Sequence, residues 1–370
     1  MRQGHEDIGE LWILTFRSLW RRIARDARLV RTPPTPEIIL SNRLAAYRCA
    51  QIEWGNFARI VISARYAAQL RSELREHQQA LVTLASLPDR PTRRHPDRIL
   101  KVIEQLVVSF VLLHEIFHLI SGHVGLISSG ANTQSFDEFS IGMFSAEDRG
   151  EKQTDPPSER KMAEAYFLES EADCCALQWI IQMAMPMSLS RHLGQPVPDF
   201  SSLAAVQRIV GFRMVLTAAW MTLRRMELNR ARWMGRASET HPLPGARLFL
   251  AIGTLLQEYS EISELRFDRQ GGGHHTLTGS DITTITTFLH EILSPVLTAD
   301  WNPDEDVVKR GSLEALMVTA FPDFANHMLN RRPQTPVGRE VSRMERVRLR
   351  IYPRLARHRY FPVIQINPPV

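Results

Sequence analysis

Cysteine is scarce in this chain of 370 residues: Cys49, Cys174 and Cys175 are all it has, two of them adjacent. An odd, partly adjacent set makes no disulfide framework, so the expected compartment is reducing and cytoplasmic. Long apolar runs are missing as well. The longest uncharged stretch, Cys174 to Ser190, holds two glutamines and Pro186. It falls short of the ~20 apolar residues a membrane span needs, so a buried helix is the better reading. Leu11 to Phe16 is apolar but short and runs into Arg17, Arg21 and Arg22, which argues against a secretory signal. There is no internal repeat and no long low-complexity tract. The formal net charge is only +5, with the charges spread along the chain. That distribution reads as ordinary solubility, and nucleic acid is not an expected partner.

What the chain does have is core material. It is 44% hydrophobic and 23% charged, the balance of a globular protein with one large or two ordinary domains. Residues 8 to 31 pattern as an amphipathic helix, with Leu11, Trp12, Phe16, Leu19, Trp20 and Ile23 set against Arg17, Arg21, Arg22 and Arg25. It either packs on the main body or makes a peripheral membrane contact. Thr32 to Pro36 marks a boundary. Phe57 to Ser63 reads as a strand, and residues 64 to 86 as helical. A long helix is expected from about Arg98 to Gly122, capped by Asp97. Residues 126 to 158 are polar and read as a loop. Helices are expected near 159–185, 201–230, 245–259, 280–294 and 310–330, and a last strand near Tyr360 to Ile366.

The chemistry concentrates in His114-Glu115-Ile116-Phe117-His118. On a helix, residues four apart sit about 40° apart and one turn displaced, so both imidazoles reach one ion. Glu115 lies beside them, placed to hold and deprotonate a water. A control lies in the same chain: His290-Glu291 is followed at position 294 by Ser, so that pair reads as structural or solvated.

A third ligand is expected from Glu169-Ser170-Glu171-Ala172-Asp173. Glu169 and Asp173 share a helix face, so Glu169 would bind the metal while Asp173 accepts a hydrogen bond from a ligand imidazole. Glu171 points about 200° away from Glu169 and faces elsewhere. His123 is the rival ligand. It follows His118 by five residues and Gly122 does so by four, whereas the three-histidine motif HExxHxxGxxH needs about six and three. Helix-end packing or a substrate contact suits His123 better.

HExxH followed by ExxAD resembles the gluzincin metallopeptidases of the CAAX-prenyl-protease and HtpX type. It is similar also to their smaller soluble relatives, the minigluzincins, and to the Lit-type phage-exclusion peptidases. In that pattern the first Glu of ExxAD, here Glu169, is the ligand and the Asp, here Asp173, orients a histidine. Thr240-His241-Pro242-Leu243-Pro244-Gly245-Ala246-Arg247 resembles the family's THPxxxxR segment. The resemblance implies that His241 faces the cleft and stabilises the tetrahedral intermediate. It makes Arg247 a structural or substrate-side contact. The matching motifs span about 100 to 255, with looser similarity back to about 36, and the flanking membrane spans of some members are absent.

The expectation is a predominantly helical α+β fold with a zincin-like metallopeptidase core. A small sheet should lie against the active-site helix, one edge strand receiving an extended peptide. Residues 1–35 would form the N-terminal helix and linker, 36–260 the peptidase domain, and 261–370 an accessory helical region. The expected function is a zinc-dependent endopeptidase acting on a protein or peptide. Glu115 would be general base, and Tyr166 a spare oxyanion donor. The alternative is an inactive, peptidase-like zinc-binding interaction module.

Overall fold

The structure is a computed structural model that describes residues 2–26, 29–44, 49–54, 58–85, 96–130, 159–193, 201, 203–234, 244–262, 279–297, 299 and 332–361. The chain is predominantly helical with one small sheet, so the α+β expectation holds at that level. None of the helices among the described residues is long and apolar enough to cross a membrane.

Helix α1 (Arg2–Ile23) precedes strands β1 (Glu37–Ser41), β2 (Ala50–Trp54) and β3 (Ala58–Ser63). The sheet order is β1-β3-β2, with β1 parallel and β2 antiparallel to β3. Central β3 is the most apolar strand; Ala58, Ile60, Val61 and Ile62 are all buried. Ser63 ends it and caps α2 (Ala64–Glu76), its Oγ accepting from Tyr66 N at 3.2 Å and donating to Leu44 O at 3.2 Å. The helical stretch expected over 64–86 breaks at His77, where α3 (Gln78–Leu84) begins.

Helix α4 (Pro96–Ile120) is the axis of the molecule. Pro96 occupies the first helical position, where a missing N–H costs nothing, and Asp97 sits in the first turn. From Leu106 to Ile120 every residue is buried. A helix apolar all round must be surrounded, and α4 is: α1, β2 and α3 contact it, as do the later helices named below. The sheet therefore does lie against this helix, through β2 and β3. Helix α4 stops at Gly122, whose φ of 82° lies in the left-handed region that glycine adopts without strain.

Helix α5 (His123–Gly130) follows and takes in the first residues of the stretch expected as a loop; residues 131–158 lie outside the described residues. Helix α6 (Glu159–Trp179) packs along α4. It runs through a π-helical turn, Ile180–Ala184, into α7 (Met185–Leu193). The helix expected near 159–185 ends just before Pro186. Instead the π turn stands where the proline would disrupt the ladder, and Pro186 falls in the first turn of α7.

Helices α8 (Ala205–Met234) and α9 (Pro244–Ile262) complete the cover of α4 and α6. Helix α10 (Gly279–Thr287), a π turn over Phe288–Leu293 and α11 (Ser294–Leu297) lean on α8. The helix expected over 310–330 and all but the first two residues of the expected final strand lie outside the described residues.

Helix α12 (Pro336–Leu355) has no counterpart among the expectations. Thr335 Oγ1 accepts from Gly338 N at 3.1 Å at its start. Its Val341, Met344, Val347, Ile351 and Leu355 are buried against α6 and α9.

Helix α1 ends at Ile23 rather than near residue 31. Beyond it the chain turns, and Val30 N donates to Tyr360 O at 2.9 Å. Trp12, Phe16, Leu19, Trp20 and Ile23 are buried, while Arg17, Arg21, Arg22 and Arg25 face out. The apolar face seen in the sequence is thus spent on the protein's own core.

Candidate metal centre

Helix periodicity places His114, Glu115 and His118 where α4 passes α6, and Glu169 and Asp173 stand on the facing turns of α6. All five are buried. His114 Nε2 and His118 Nε2 are 3.0 Å apart. Glu169 Oε2 lies 3.4 Å from the first and Oε1 3.5 Å from the second. Among the described residues this is the one His/Cys/Asp/Glu group of three or more whose donor atoms converge enough to hold a metal ion. The spacing is telling: donor atoms around a tetrahedral zinc ion stand about 3.3 Å from one another.

The surroundings aim these donors. His114 Nδ1 lies 2.9 Å from Asp173 Oδ1. Asp173 is gripped in turn by Arg247, whose Nε donates to Oδ2 at 2.6 Å and whose Nη2 donates to Oδ1 at 2.8 Å. Burial raises the Asp173 carboxyl, but the Arg247 charge and its hydrogen bonds outweigh that and hold it below its usual range. An ionised Asp173 accepts only, so His114 carries a proton on Nδ1 and turns Nε2 toward His118 and Glu169. On the other histidine, His118 Nδ1 lies 2.9 Å from His123 Nδ1.

Two imidazole nitrogens facing each other at 3.0 Å repel unless a proton or a metal ion lies between them. Titration has the same cause. Burial acts to lower the His114 pKa, yet its contacts with Asp173 and Glu169 prevail and lift it to about 10. Burial and the neighbouring His114 charge push His118 well below its ordinary value. Without metal the pair therefore shares one proton. A metal ion would take the same place.

Glu115 differs from Asp173 and Glu171, whose carboxyls are held low. Burial raises its pKa to about 7, with the His114 charge partly opposing. Its Oε2 is buried and accepts no hydrogen bond. An unsatisfied, desolvated carboxylate beside metal-ligand geometry is a proton acceptor waiting for a partner.

The remaining expected residues sort as follows. Arg247 is buried and bonded to Asp173. Tyr166 lies one turn before Glu169 on α6, half-buried against the apolar core. His241 lies outside the described residues. His123 is not among the converging donors; it is fully buried between His118 and Glu171. Glu171 faces away from Glu169 as expected, but it is buried, with Arg359 on its other oxygen at 2.5 Å. Arg359 was not foreseen, because nothing local in the sequence ties it to position 171. The Glu291 side chain is half-exposed and its carbonyl accepts from Arg213, which fits a structural role for His290-Glu291. Cys49, Cys174 and Cys175 are buried, and no disulfide joins them. No family, no curated protein and no solved structure matches the chain.

Proposed function

We propose that this protein is a zinc-dependent peptidase of the glutamate-liganded kind, with His114, His118 and Glu169 as ligands and Glu115 as general base. The observation that carries the reading is the unpartnered Glu115 Oε2 on the helix that supplies two of three donor groups, whose separations match the edges of a tetrahedron. The donor set suits the ion: two neutral imidazoles and one carboxylate are a common catalytic zinc set, leaving one position open. When bound, zinc supplies a Lewis acid that makes water acidic near neutral pH and polarises a carbonyl.

The protein's own groups do the rest. Glu115 takes a proton from a water molecule, whose oxygen then attacks the scissile carbonyl. Glu115 returns that proton to the departing amine as the C–N bond breaks. Asp173, held by Arg247, keeps His114 in the Nδ1–H tautomer throughout. His241 is the proposed oxyanion partner, on the strength of the resemblance of Thr240 to Arg247 to the family's THPxxxxR segment.

The substrate class is a protein or peptide. Strand β2 is the sheet edge against α4, and Cys49 just before it feels the charges of Arg247 and Glu115. An extended peptide adding to that edge would pass the ligand cluster. Helix α1 is not proposed as a membrane anchor, since its apolar side chains are buried against the body.

The test is metal content together with cleavage. Purified protein should hold about one zinc per chain and cleave members of a peptide library. Glu115→Gln should keep the zinc and lose at least about a hundredfold in rate. Cleavage retained by Glu115→Gln would overturn the mechanism. Zinc without any cleavage would make the protein a binding module.

A further inference from the structure

Glu171 is the acid that the ligand spacing leaves over, and it is not idle. It is as deeply buried as Glu169 but faces the other side of α6. Its Oε2 lies 2.8 Å from His123 Nε2, and its Oε1 accepts from Arg359 Nη2 at 2.5 Å. His123 meets His118 through the two Nδ1 atoms at 2.9 Å. A file of side chains therefore runs from His118 through His123 and Glu171 to Arg359.

Donor and acceptor rules admit one arrangement that leaves His118 able to bind metal. Arg359 donates only, and ionised Glu171 accepts only, so His123 Nε2 carries a proton. A His118 that presents a bare Nε2 carries its proton on Nδ1. His123 Nδ1 must then be the acceptor. The reverse arrangement needs a doubly protonated His123 and puts a proton on His118 Nε2, where it blocks the centre.

Arg359 is itself held from several sides. His358 N and Arg359 N both donate to Leu355 O, at 2.8 and 3.1 Å. Tyr360 N donates to Ile120 O at 2.8 Å, at the end of α4. Arg31 Nε donates to Arg359 O at 3.1 Å, and the Arg359 guanidinium lies 4.7 Å from the centre of the Tyr352 ring. The glycines beside His123 admit this strap. A Cβ on Gly122 would come within 2.6 Å of the His358 carbonyl carbon, and one on Gly125 within 2.9 Å of the His358 side chain.

We propose that the segment Ala356–Phe361 is part of the metal centre. His123, Glu171 and Arg359 are positioning residues that hold His118 with Nε2 bare. Metal retention then depends on a part of the chain 188 residues beyond Glu171. This rests on the metal reading above, and cobalt(II) separates the two.

Full-length, chelator-treated protein is titrated with Co²⁺ against a chromophoric competitor, and its visible absorption is recorded. Wild type should take up about one Co²⁺ per chain, and His114→Ala should not. Failure of the wild type to bind overturns the metal reading, and this proposal with it. Given that binding, His123→Leu and Arg359→Met should weaken Co²⁺ by about 10–100-fold and alter the spectrum. His123→Gln can accept from His118 and donate to Glu171, and should stay within about threefold of wild type. Unchanged affinity and spectrum in both His123→Leu and Arg359→Met would overturn the positioning role and leave the metal site standing. Should those variants not fold, ¹⁵N-histidine NMR of the zinc-loaded wild type decides. It should show His118 protonated on Nδ1 and His123 on Nε2 only, and any other pattern refutes the proposal.

Discussion

Glu115 should destabilise the metal-free protein, by an amount that depends on pH. Its carboxyl has an ordinary value of 4.5 and is lifted to about 7 chiefly by burial. A raised folded-state pKa means the neutral form is favoured on folding. The stability it contributes is fully present below about pH 4.5 and is lost as pH rises through about 7. At about 1.4 kcal/mol per unit, a shift of roughly 2.5 units comes to about 3 kcal/mol above pH 7. Glu115→Gln removes the titration but leaves a buried amide, so the net gain at pH 8 should be about 1–3 kcal/mol. At pH 4.5 it should be close to nil. Urea unfolding of chelator-treated wild type and Glu115→Gln, run every half unit from pH 4.5 to 8, measures this. A difference that stays constant with pH, or a variant less stable at pH 8, would refute the idea that desolvation governs this carboxylate. The same variant should be inactive, so stability gained and activity lost would trace to one atom pair.

Metal should compete with the His114 proton. Because that imidazole is lifted to about 10, zinc affinity at neutral pH should rise up to about tenfold per pH unit. Calorimetry in buffers of different ionisation heat should count about one proton released, and none released would contradict the shared proton. Arg247→Met strands the buried Asp173 charge and should cost about 3–5 kcal/mol. Adding Asp173→Asn should recover part of it, which a double-mutant cycle by urea unfolding would read; strict additivity would deny the coupling. Gly122→Ala meets both the positive φ and the His358 backbone, so a loss of at least about 2 kcal/mol is expected in thermal unfolding. A neutral result would mean that the strap does not close on α4 as described.

Much of the centre was legible because it is local. His114 and His118, and likewise Glu169 and Asp173, are pairs one helical turn apart, and periodicity alone puts each pair on one face. A tie from Asp173 to one of the imidazoles needed only one further assumption, that the two helices face each other; His114 Nδ1 lies 2.9 Å from Asp173 Oδ1. Strand β3 and the burial of α4 follow from runs of apolar residues. Helix α12 carried a readable period in Val341, Met344, Val347, Ile351 and Leu355, but nothing in that period says which helices it covers.

Sequence by itself determined that one helix would offer two imidazoles and a carboxylate, and another a carboxylate with its partner, since spacing along a helix sets which side chains share a face. Tertiary structure alone decided that Glu171 is a buried acceptor rather than a solvated acid, and that His123 stands between it and His118. It also decided that Arg247 grips Asp173 and Arg359 grips Glu171. The pairings made by Glu171 and Asp173 join residues 48 to 188 positions apart. Their partners are chosen by how helices pack and where a glycine lets two backbones meet, and no local spacing encodes either.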